Sequence, residues 1–321
     1  MRRRPLLLAL AALLLAGGCG SDPATPRPAA PRGGLEPPLR VAASGEITAI
    51  AGTPQGVYVM VSDSSQETAE LKWVDAARRV TRIAAVGHDP IAMTVLRGRV
   101  WVSDGGLDSG TLRAVDPVSG RVVRSVRLPA ESYDLETGGG RVWAFAQDGR
   151  VFAVDPRGGS PPVTFRLGTD YDKGAVGLGA LYAGGPGVPV LRRALQPDGR
   201  LGPARRLPEV NGGLLVAARS VWAADIGDSA APPPALRRLD PRTGKVRARF
   251  PYAQELAAGG SSIWLARNNL VQRIDTARNR TVGAPVAVGP PAAEPLALAY
   301  GAGRLWITHV QVTDTLFSLR P

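Results

Sequence analysis

The sequence predicts an all-β fold, a seven-bladed β-propeller of four-stranded blades that an N-terminal strand closes by completing the last blade. Three observations support this prediction. Short apolar strands alternate with turn residues, and no helical period of 3.6 residues is visible. An aromatic residue recurs in the same strand context at intervals of 39 to 43 residues, and an apolar-Asp turn follows most copies. Such a period is typical of propeller blades. The aromatic residues are Tyr58, Trp101, Trp143, Tyr182, Trp222, Trp264 and Trp306.

The second repeat shows the pattern of one blade most clearly. Residues 100–103 and 111–115 are apolar and β-prone, and a loop separates them. A turn follows over residues 116–120, where Pro117 fixes φ for the first bend and Gly120 supplies the positive φ. Residues 122–128 alternate apolar and basic side chains, which is the pattern of an outer strand with one face in water.

The last repeat stops after its third strand, near Leu319, so it lacks an outer strand. Residues 39–43, ahead of the first blade, have the pattern of an outer strand. An unpaired strand at the edge of a blade would invite aggregation. We therefore predict that residues 39–43 pair with residues 315–319 and close the ring.

Recurrent side chains within the blades have predicted structural roles. One aromatic residue at a fixed position of a buried strand indicates packing between blades. The turn aspartates are expected to accept hydrogen bonds from their own downstream backbone. These aspartates are Asp75, Asp116, Asp155, Asp240 and Asp275.

The first 38 residues predict export and a membrane anchor. Arg2 to Arg4 precede an apolar run that is too short to span a bilayer, which indicates a secretory signal. The run ends in Leu-Ala-Gly-Gly-Cys19, which resembles the bacterial lipoprotein processing box, and Cys19 is the only cysteine. We predict a signal peptide over 1–18, a lipidated Cys19 with a proline-rich tether over 19–38, and the propeller over 39–321. The protein would be an exported bacterial lipoprotein at the outer leaflet of the cytoplasmic membrane.

Composition and motifs limit the classes of partner and cofactor that we expect. The formal net charge is +12, but an exported protein seldom meets nucleic acid, and no stripe of base-stacking aromatic residues accompanies the charge. No P-loop, zinc or catalytic-serine motif is present in the sequence. We expect a monomer with no nucleic-acid partner, no cofactor and no metal site, tethered to the membrane by Cys19, with a protein or small-molecule partner of unknown identity.

The Val-Trp-Val-Ser-Asp strand, the Val-Asp-Pro-x-x-Gly turn and the Val-x-x-Val-x-Leu outer strand resemble the YVTN and NHL repeat families and virginiamycin B lyase-like propellers. The resemblance covers residues 39–321. It implies a propeller that is either an exported binding or scaffold protein or an enzyme of the lyase kind. The lyase group further implies two histidines and a glutamate close in sequence, whereas His88 and His309 here stand far apart.

Acidic residues recur at the predicted mouth of the central channel. Five of the seven blades have an acid twelve residues before the blade aromatic, and other polar residues follow one or two steps further in. One interpretation is a set of solvated loops. The other is a shallow acidic site for a cation, a basic partner or a polar ligand, in a non-enzymatic binding or scaffold protein. An enzyme of the lyase or lactonase kind, using these acids and His88 or His309, is the alternative. The candidate residues are Glu46, Asp89, Glu131, Tyr133, Asp134, Asp170, Asp172, Asn211, Glu255 and Glu294.

Overall fold

The computed structural model describes residues 34–43, 45–63, 68–87, 90–105, 109–169, 171, 173–185, 188–207, 213–224 and 235–321. These residues form strands and turns, arranged in seven antiparallel sheets of four strands each. The predicted all-β fold with seven four-stranded blades is confirmed. Within these ranges no helix is long and apolar enough to cross a membrane. The predicted signal peptide and Cys19 lie outside the described residues.

The strands follow one another along the chain, four to a blade. The closing strand is β1 (Leu39–Arg40). Blade 1 comprises β2 (Glu46–Thr53), β3 (Gly56–Ser62), β4 (Ala69–Asp75) and β5 (Val80–Gly87). Blade 2 comprises β6 (Pro90–Leu96), β7 (Arg99–Asp104), β8 (Gly110–Asp116) and β9 (Arg121–Leu128). Blade 3 comprises β10 (Ser132–Gly138), β11 (Arg141–Ala146), β12 (Arg150–Val154) and β13 (Val163–Arg166).

The remaining blades repeat this order. Blade 4 comprises β14 (Lys173–Gly177), β15 (Ala180–Gly185), β16 (Val188–Leu195) and β17 (Leu201–Arg206). Blade 5 comprises β18 (Gly213–Ala217), β19 (Ser220–Ala224), β20 (Ala235–Leu239) and β21 (Val246–Pro251). Blade 6 comprises β22 (Glu255–Gly259), β23 (Ser262–Arg267), β24 (Leu270–Asp275) and β25 (Arg280–Ala287). Blade 7 comprises β26 (Pro295–Gly301), β27 (Arg304–His309) and β28 (Val312–Leu319), completed by β1.

The innermost strands form a closed ring around a central channel. Each inner strand contacts the inner strands of both neighbouring blades, and β26 of blade 7 contacts β2 of blade 1. The backbones approach closely at this last junction. A Cβ atom at Gly52 would lie 2.1 Å from the carbonyl oxygen of Tyr300, so only glycine fits there.

The N-terminal strand closes the ring as predicted, but it covers Leu39–Arg40 and not the whole of the predicted residues 39–43. Leu39 pairs with Leu316 and Arg40 pairs with Thr315, both antiparallel. The pairing also extends upstream, because Leu35 bridges to Leu319 and the Glu36 N–H donates to the Ser318 carbonyl at 3.0 Å. Blade 7 therefore has its fourth strand from the other end of the chain.

The blade aromatics pack between blades, as predicted. Trp101, Trp143, Trp222 and Trp306 are at most 1% exposed. Trp101 of blade 2 shares a core cluster with Leu135 of blade 3, so the apolar core lies in the spaces between neighbouring sheets. Burial at these junctions fixes the inner strands and hence the shape of the channel.

The turn aspartates also have their predicted structural role. In each turn the first carboxylate oxygen accepts the backbone N–H two residues downstream, at 2.8 or 2.9 Å. The donors are Ala77, Val118, Arg157, Arg242 and Ala277.

Candidate functional site

The seven inner strands all begin at one end of the channel, which we call the channel mouth. Glu46 is the first residue of β2, and Glu131 and Glu294 immediately precede β10 and β26. Tyr133 and Asp134 lie within β10, and Glu255 begins β22. The structure thus places these six candidate residues at the mouth or just inside it. Asp89, Asp170, Asp172 and Asn211 lie outside the described residues, as does His88.

One ring of positions just inside the mouth carries three charges. Each blade contributes one residue of its inner strand to this ring. That residue pairs with the residue two positions after the blade aromatic. Three of the seven positions are charged and the other four have small side chains. We call this ring the charged layer. It consists of Ala49, Ala92, Asp134, Lys173, Gly213, Glu255 and Ala297.

The Asp134 carboxylate connects blades 3 and 4 at the channel wall. Its Oδ2 accepts the backbone N–H of Gly174 at 2.9 Å. Gly174 has no side chain because the Phe145 ring fills that space; a Cβ atom would lie 1.9 Å from the Phe145 Cζ. Asp134 is therefore fixed beside Lys173, the residue that precedes Gly174.

Glu255 faces these charges from blade 6. Burial raises the pKa of Glu255 to about 7; Lys173 opposes this shift and Asp134 adds to it. Blades 3 and 6 are separated by two other blades, so the interaction of Asp134 with Glu255 acts across the channel. A carboxyl group with a pKa near 7 exchanges its proton at neutral pH.

Glu136 lies two residues after Asp134 on the same face of β10 and was not predicted from the sequence. Burial raises the pKa of Glu136 well above its ordinary value, and the Asp134 carboxylate adds to this. Glu136 is paired with the blade aromatic Trp143. The residues paired with the aromatic in the other blades are uncharged: Ala51, Thr94, Ala175, Leu215, Ala257 and Ala299.

Two predicted residues of blade 3 are engaged with each other. The Tyr133 hydroxyl donates to Oε2 of Glu131 at 2.5 Å. The other carboxylate oxygen of Glu131 lies against Gly105 of blade 2, 1.9 Å from where a Cβ atom would stand. This pair forms part of the rim and is held in place by the neighbouring blade.

Tyr252 connects the charged layer to the rim on the opposite side. Burial raises the pKa of the Tyr252 phenol, Arg267 opposes the shift, and Glu255 and Glu294 add to it. The two glutamates come from adjacent blades, so both carboxylates act on the same phenol. Glu294 is held by its backbone, whose N–H donates to the Gln311 side-chain oxygen at 2.8 Å.

His309 is buried and is not one of the residues that could react at the channel mouth. It is 1% exposed and its ring packs edge-on against Phe317, with centroids 5.1 Å apart. Burial lowers the pKa of His309, and a hydrogen bond with the Val288 backbone opposes this. An imidazole packed in this way is not open to a substrate in the channel.

The arrangement can do two things chemically. Two carboxyl groups with raised pKa can bind a cation and release protons, because a nearby positive charge favours the ionised form. Glu255 can also transfer protons near neutral pH. In the described ranges no group of three or more His, Cys, Asp or Glu side chains has the spacing of a metal site.

No protein-family model matches the chain, and no curated protein matches it either. Solved structures do. BamB from Moraxella catarrhalis is 16% identical with a TM-score of 0.56, over 86% of this chain and 85% of that chain. The WD40 propeller domain of Doa1 is 8% identical with a TM-score of 0.64, over 89% and 96%. A chain of the mitotic checkpoint complex is 11% identical with a TM-score of 0.70, over 97% and 99%. Identities this low show the fold alone. The chain is a seven-bladed β-propeller whose fold is similar to those of BamB and the Doa1 WD40 domain.

Proposed function

We propose that the protein is a non-enzymatic binding or scaffold protein that holds a positively charged ligand, or a basic segment of a partner protein, at the channel mouth. The charged layer is the observation that carries this proposal. It brings Asp134 and Glu255 together with Lys173 on one ring of the channel, and Glu136 lies one step deeper. Carboxyl groups outnumber the ammonium group there by three to one.

The fold itself does not require these charges. Four of the seven positions in the charged layer are alanine or glycine, and six of the seven positions at the level of Glu136 are uncharged. Burying a carboxyl group costs free energy unless it is paired or keeps its proton. Perturbed carboxyl groups in a concave site are characteristic of functional sites. A bound cation would favour the ionised forms of Glu136 and Glu255 and so offset the cost of burying these carboxyl groups.

The experiment is calorimetric titration of the protein with tri-lysine as the cationic probe. We expect saturable binding that weakens about tenfold in Glu136→Gln and Glu255→Gln, the effect of losing one charged contact. Glu70→Gln is the matched control, because Glu70 lies on the third strand of blade 1 and pairs with Arg82 at 2.6 Å. Equal weakening in all three variants, or no binding, would contradict the proposal.

Membrane anchoring is part of the same proposal. It is supported by the lipoprotein-like sequence that ends at Cys19 and by the direction of the closing strand. Leu305, at the start of β27, pairs with Leu319, so the closing strand enters at the face opposite the channel mouth. The tether would then leave the mouth pointing away from the outer leaflet of the cytoplasmic membrane. Cys19→Ser should move the protein from the membrane fraction to the soluble fraction, since the acyl chains provide the anchor.

The finer family assignment is also a proposal. The blade motifs support a propeller of the YVTN and NHL type, similar to virginiamycin B lyase-like proteins. We expect a monomer, because closure by β1 leaves no blade of the ring without its outer strand.

Glu255 favours a second candidate function. A carboxyl group with a pKa of about 7 is suited to general acid–base catalysis, which fits a lyase or lactonase. Hydrolysis of a simple lactone such as δ-valerolactone, with a rate that follows a pKa near 7 and is lost in Glu255→Gln, would favour the enzyme. Tri-lysine binding without such hydrolysis favours the binding protein.

A further inference from the structure

A cleft of about 170 Å³ lies between blades 3 and 4 on the face opposite the channel mouth. Four turns form it, and three arginines line it: Arg97, Arg141 and Arg157. Arg97 lies in the turn between the first and second strands of blade 2, and Arg141 begins the second strand of blade 3. Arg157 follows the turn aspartate Asp155. The cleft is smaller than the roughly 300–1,000 Å³ of sites for drug-sized ligands, so it suits a small group.

Glycines in the neighbouring turns leave room for two of the arginine side chains in the cleft. A Cβ atom at Gly199 would lie 2.7 Å from both Nε and Nη2 of Arg141, and Gly199 has φ of 83°. Only glycine therefore lets this guanidinium lie against the turn of blade 4. The Arg97 guanidinium reaches across to the turn of blade 3, with Nη2 3.6 Å from where a Gly140 Cβ would stand.

Asp155 is the acidic group in the cleft, and it differs from the other turn aspartates. Asp75 and Asp275 each have an arginine within 2.7 Å, and Asp116 and Asp240 have equally close arginine partners. Across the described ranges, no ion pair within 4 Å joins Asp155 to Arg97, Arg141 or Arg157. The hydrogen bond from the Arg157 N–H lowers the pKa of Asp155, and the charges of Arg141, Arg157 and Arg97 add to this.

The charge in the cleft is therefore unbalanced. Three guanidinium groups act on one carboxylate, and the first oxygen of that carboxylate is taken by the turn. This leaves a net charge of +2 from these four groups, in a cleft that three arginine side chains line. Guanidinium groups match the geometry of phosphate oxygens and bind them through pairs of hydrogen bonds.

We propose that this cleft is an anion site that binds a phosphate group. The closing strand enters on the same face as the cleft, so both a lipid headgroup and a free phosphate compound could supply this group. The proposal does not depend on the function of the channel mouth, because the two sites lie on opposite faces and share no residue.

The test is calorimetric titration of the full chain, purified in detergent, with inorganic phosphate at fixed ionic strength. Arg141→Gln and Arg157→Gln should each weaken binding about tenfold, as expected for one charged hydrogen-bonding partner. Arg121→Gln and Arg280→Gln are matched controls that remove the same charge at the starts of other outer strands, away from the cleft. Their affinities should stay within about twofold, because exposed charges at a distance are screened by salt.

Asp155→Asn is expected to raise the affinity for phosphate, whereas a misfolded variant would lose affinity. Asparagine keeps an oxygen for the Arg157 N–H but removes the competing negative charge. Phosphate binding should tighten several-fold in this variant. A saturable isotherm is required of the wild-type protein; its absence, unchanged affinity in Asp155→Asn, or equal loss in the two controls would each overturn the proposal.

Soluble short-chain lipids distinguish the source of the phosphate group. The protein is titrated with dihexanoyl phosphatidic acid and with dihexanoyl phosphatidylcholine below their micellar concentrations. Tighter binding of phosphatidic acid than of inorganic phosphate assigns the cleft to a lipid headgroup. Equal binding of the two assigns it to a soluble phosphate compound. Failure of phosphatidic acid and inorganic phosphate alike contradicts the site.

Discussion

Glu36 accepts a hydrogen bond from Arg304, with 2.8 Å between Oε2 and Nε. This contact joins the N-terminal segment to the last blade of the propeller. Ser318 donates to the same oxygen at 2.6 Å, and Arg320 donates to the other oxygen at 2.8 Å. Burial alone would raise the pKa of Glu36, but the hydrogen bonds from Arg304 and Ser318 lead a group of interactions that hold it at about 2. The closing strand is thus fixed by an ionised carboxylate as well as by backbone pairing.

Glu36→Gln should destabilise the fold by about 3 kcal/mol at pH 7, because it leaves the buried Arg304 without its counter-ion. The Arg304 side chain is only 6% exposed. Urea unfolding of the wild-type protein and the variant measures the difference. Asp198→Asn is the control: its side chain is 54% exposed, and loss of its surface pair with Arg200 should cost less than about 1 kcal/mol.

The same contact predicts an acid dependence of stability. The pKa of Glu36 is lower in the folded protein than in the unfolded chain, so its contribution is complete above about pH 4.5 and is lost as the pH falls towards 2. The wild-type protein should therefore lose more stability than Glu36→Gln between pH 5 and pH 3. Parallel pH profiles for the two proteins would show that folding does not lower the pKa of Glu36.

Truncation tests the closing strand directly. A chain that begins at residue 34 keeps Glu36 and all described pairing with β28, and it should unfold at the same temperature as the full chain. A chain that begins at residue 42 loses both, and its midpoint should fall by roughly 5–10 °C if about 3 kcal/mol is lost. Calorimetric scans of the two truncated proteins measure this, and equal midpoints would exclude a stabilising role for the closing strand.

Gly174→Ala tests the junction between blades 3 and 4. The added methyl group would overlap the Phe145 ring and displace the N–H that Asp134 accepts, at a cost of about 1–3 kcal/mol. Gly213→Ala is the matched control on the next inner strand, where nothing lies within 4 Å of the added atom. Urea unfolding should show a larger loss of unfolding free energy for Gly174→Ala than for Gly213→Ala. Similar losses would mean that overlap with the Phe145 ring does not destabilise the junction.

Much of this architecture could be predicted because each blade repeats its own local signals. The intervals between Trp101, Trp143 and the other blade aromatics predicted the blade number, and the truncated last repeat predicted closure. The role of Glu36 could not be predicted, because its partners lie more than 260 residues away.

The candidate site was predicted in part. Asp134 and Glu255 were identified, but Lys173 was missed, although all three stand nine residues before a blade aromatic. Counting twelve residues selects the rim, where Glu131 lies, instead of the charged layer. Glu136 gave no repeat signal, because the other blades have uncharged residues at its position. The arginine cleft is formed by turns from three blades. It could not be predicted, because these turns are far apart in the sequence and meet only in the folded protein.

Glu255 predicts a second pH dependence, of opposite sign. Its pKa is raised from about 4.5 to about 7 on folding, so the folded protein binds more protons than the unfolded chain in that range. Stability should therefore fall as the pH rises from 4.5 to 7. Glu255→Gln should reduce this fall, to which Glu136 also contributes, and stabilise the protein at pH 8 by up to about 3 kcal/mol. Unfolding free energies at pH 5 and pH 8 measure it, and an unchanged slope would place the pKa of Glu255 in its ordinary range.

Proton release on binding tests the channel-mouth site most directly. At pH 7, Glu255 is about half protonated, and a cation bound beside it should complete its ionisation. Calorimetric titration with tri-lysine in two buffers of different ionisation enthalpy gives the number of protons released. We expect about half a proton or more from the wild-type protein and a smaller number from Glu255→Gln. Binding that releases no proton, or releases the same number from both proteins, would contradict a cation site at the charged layer.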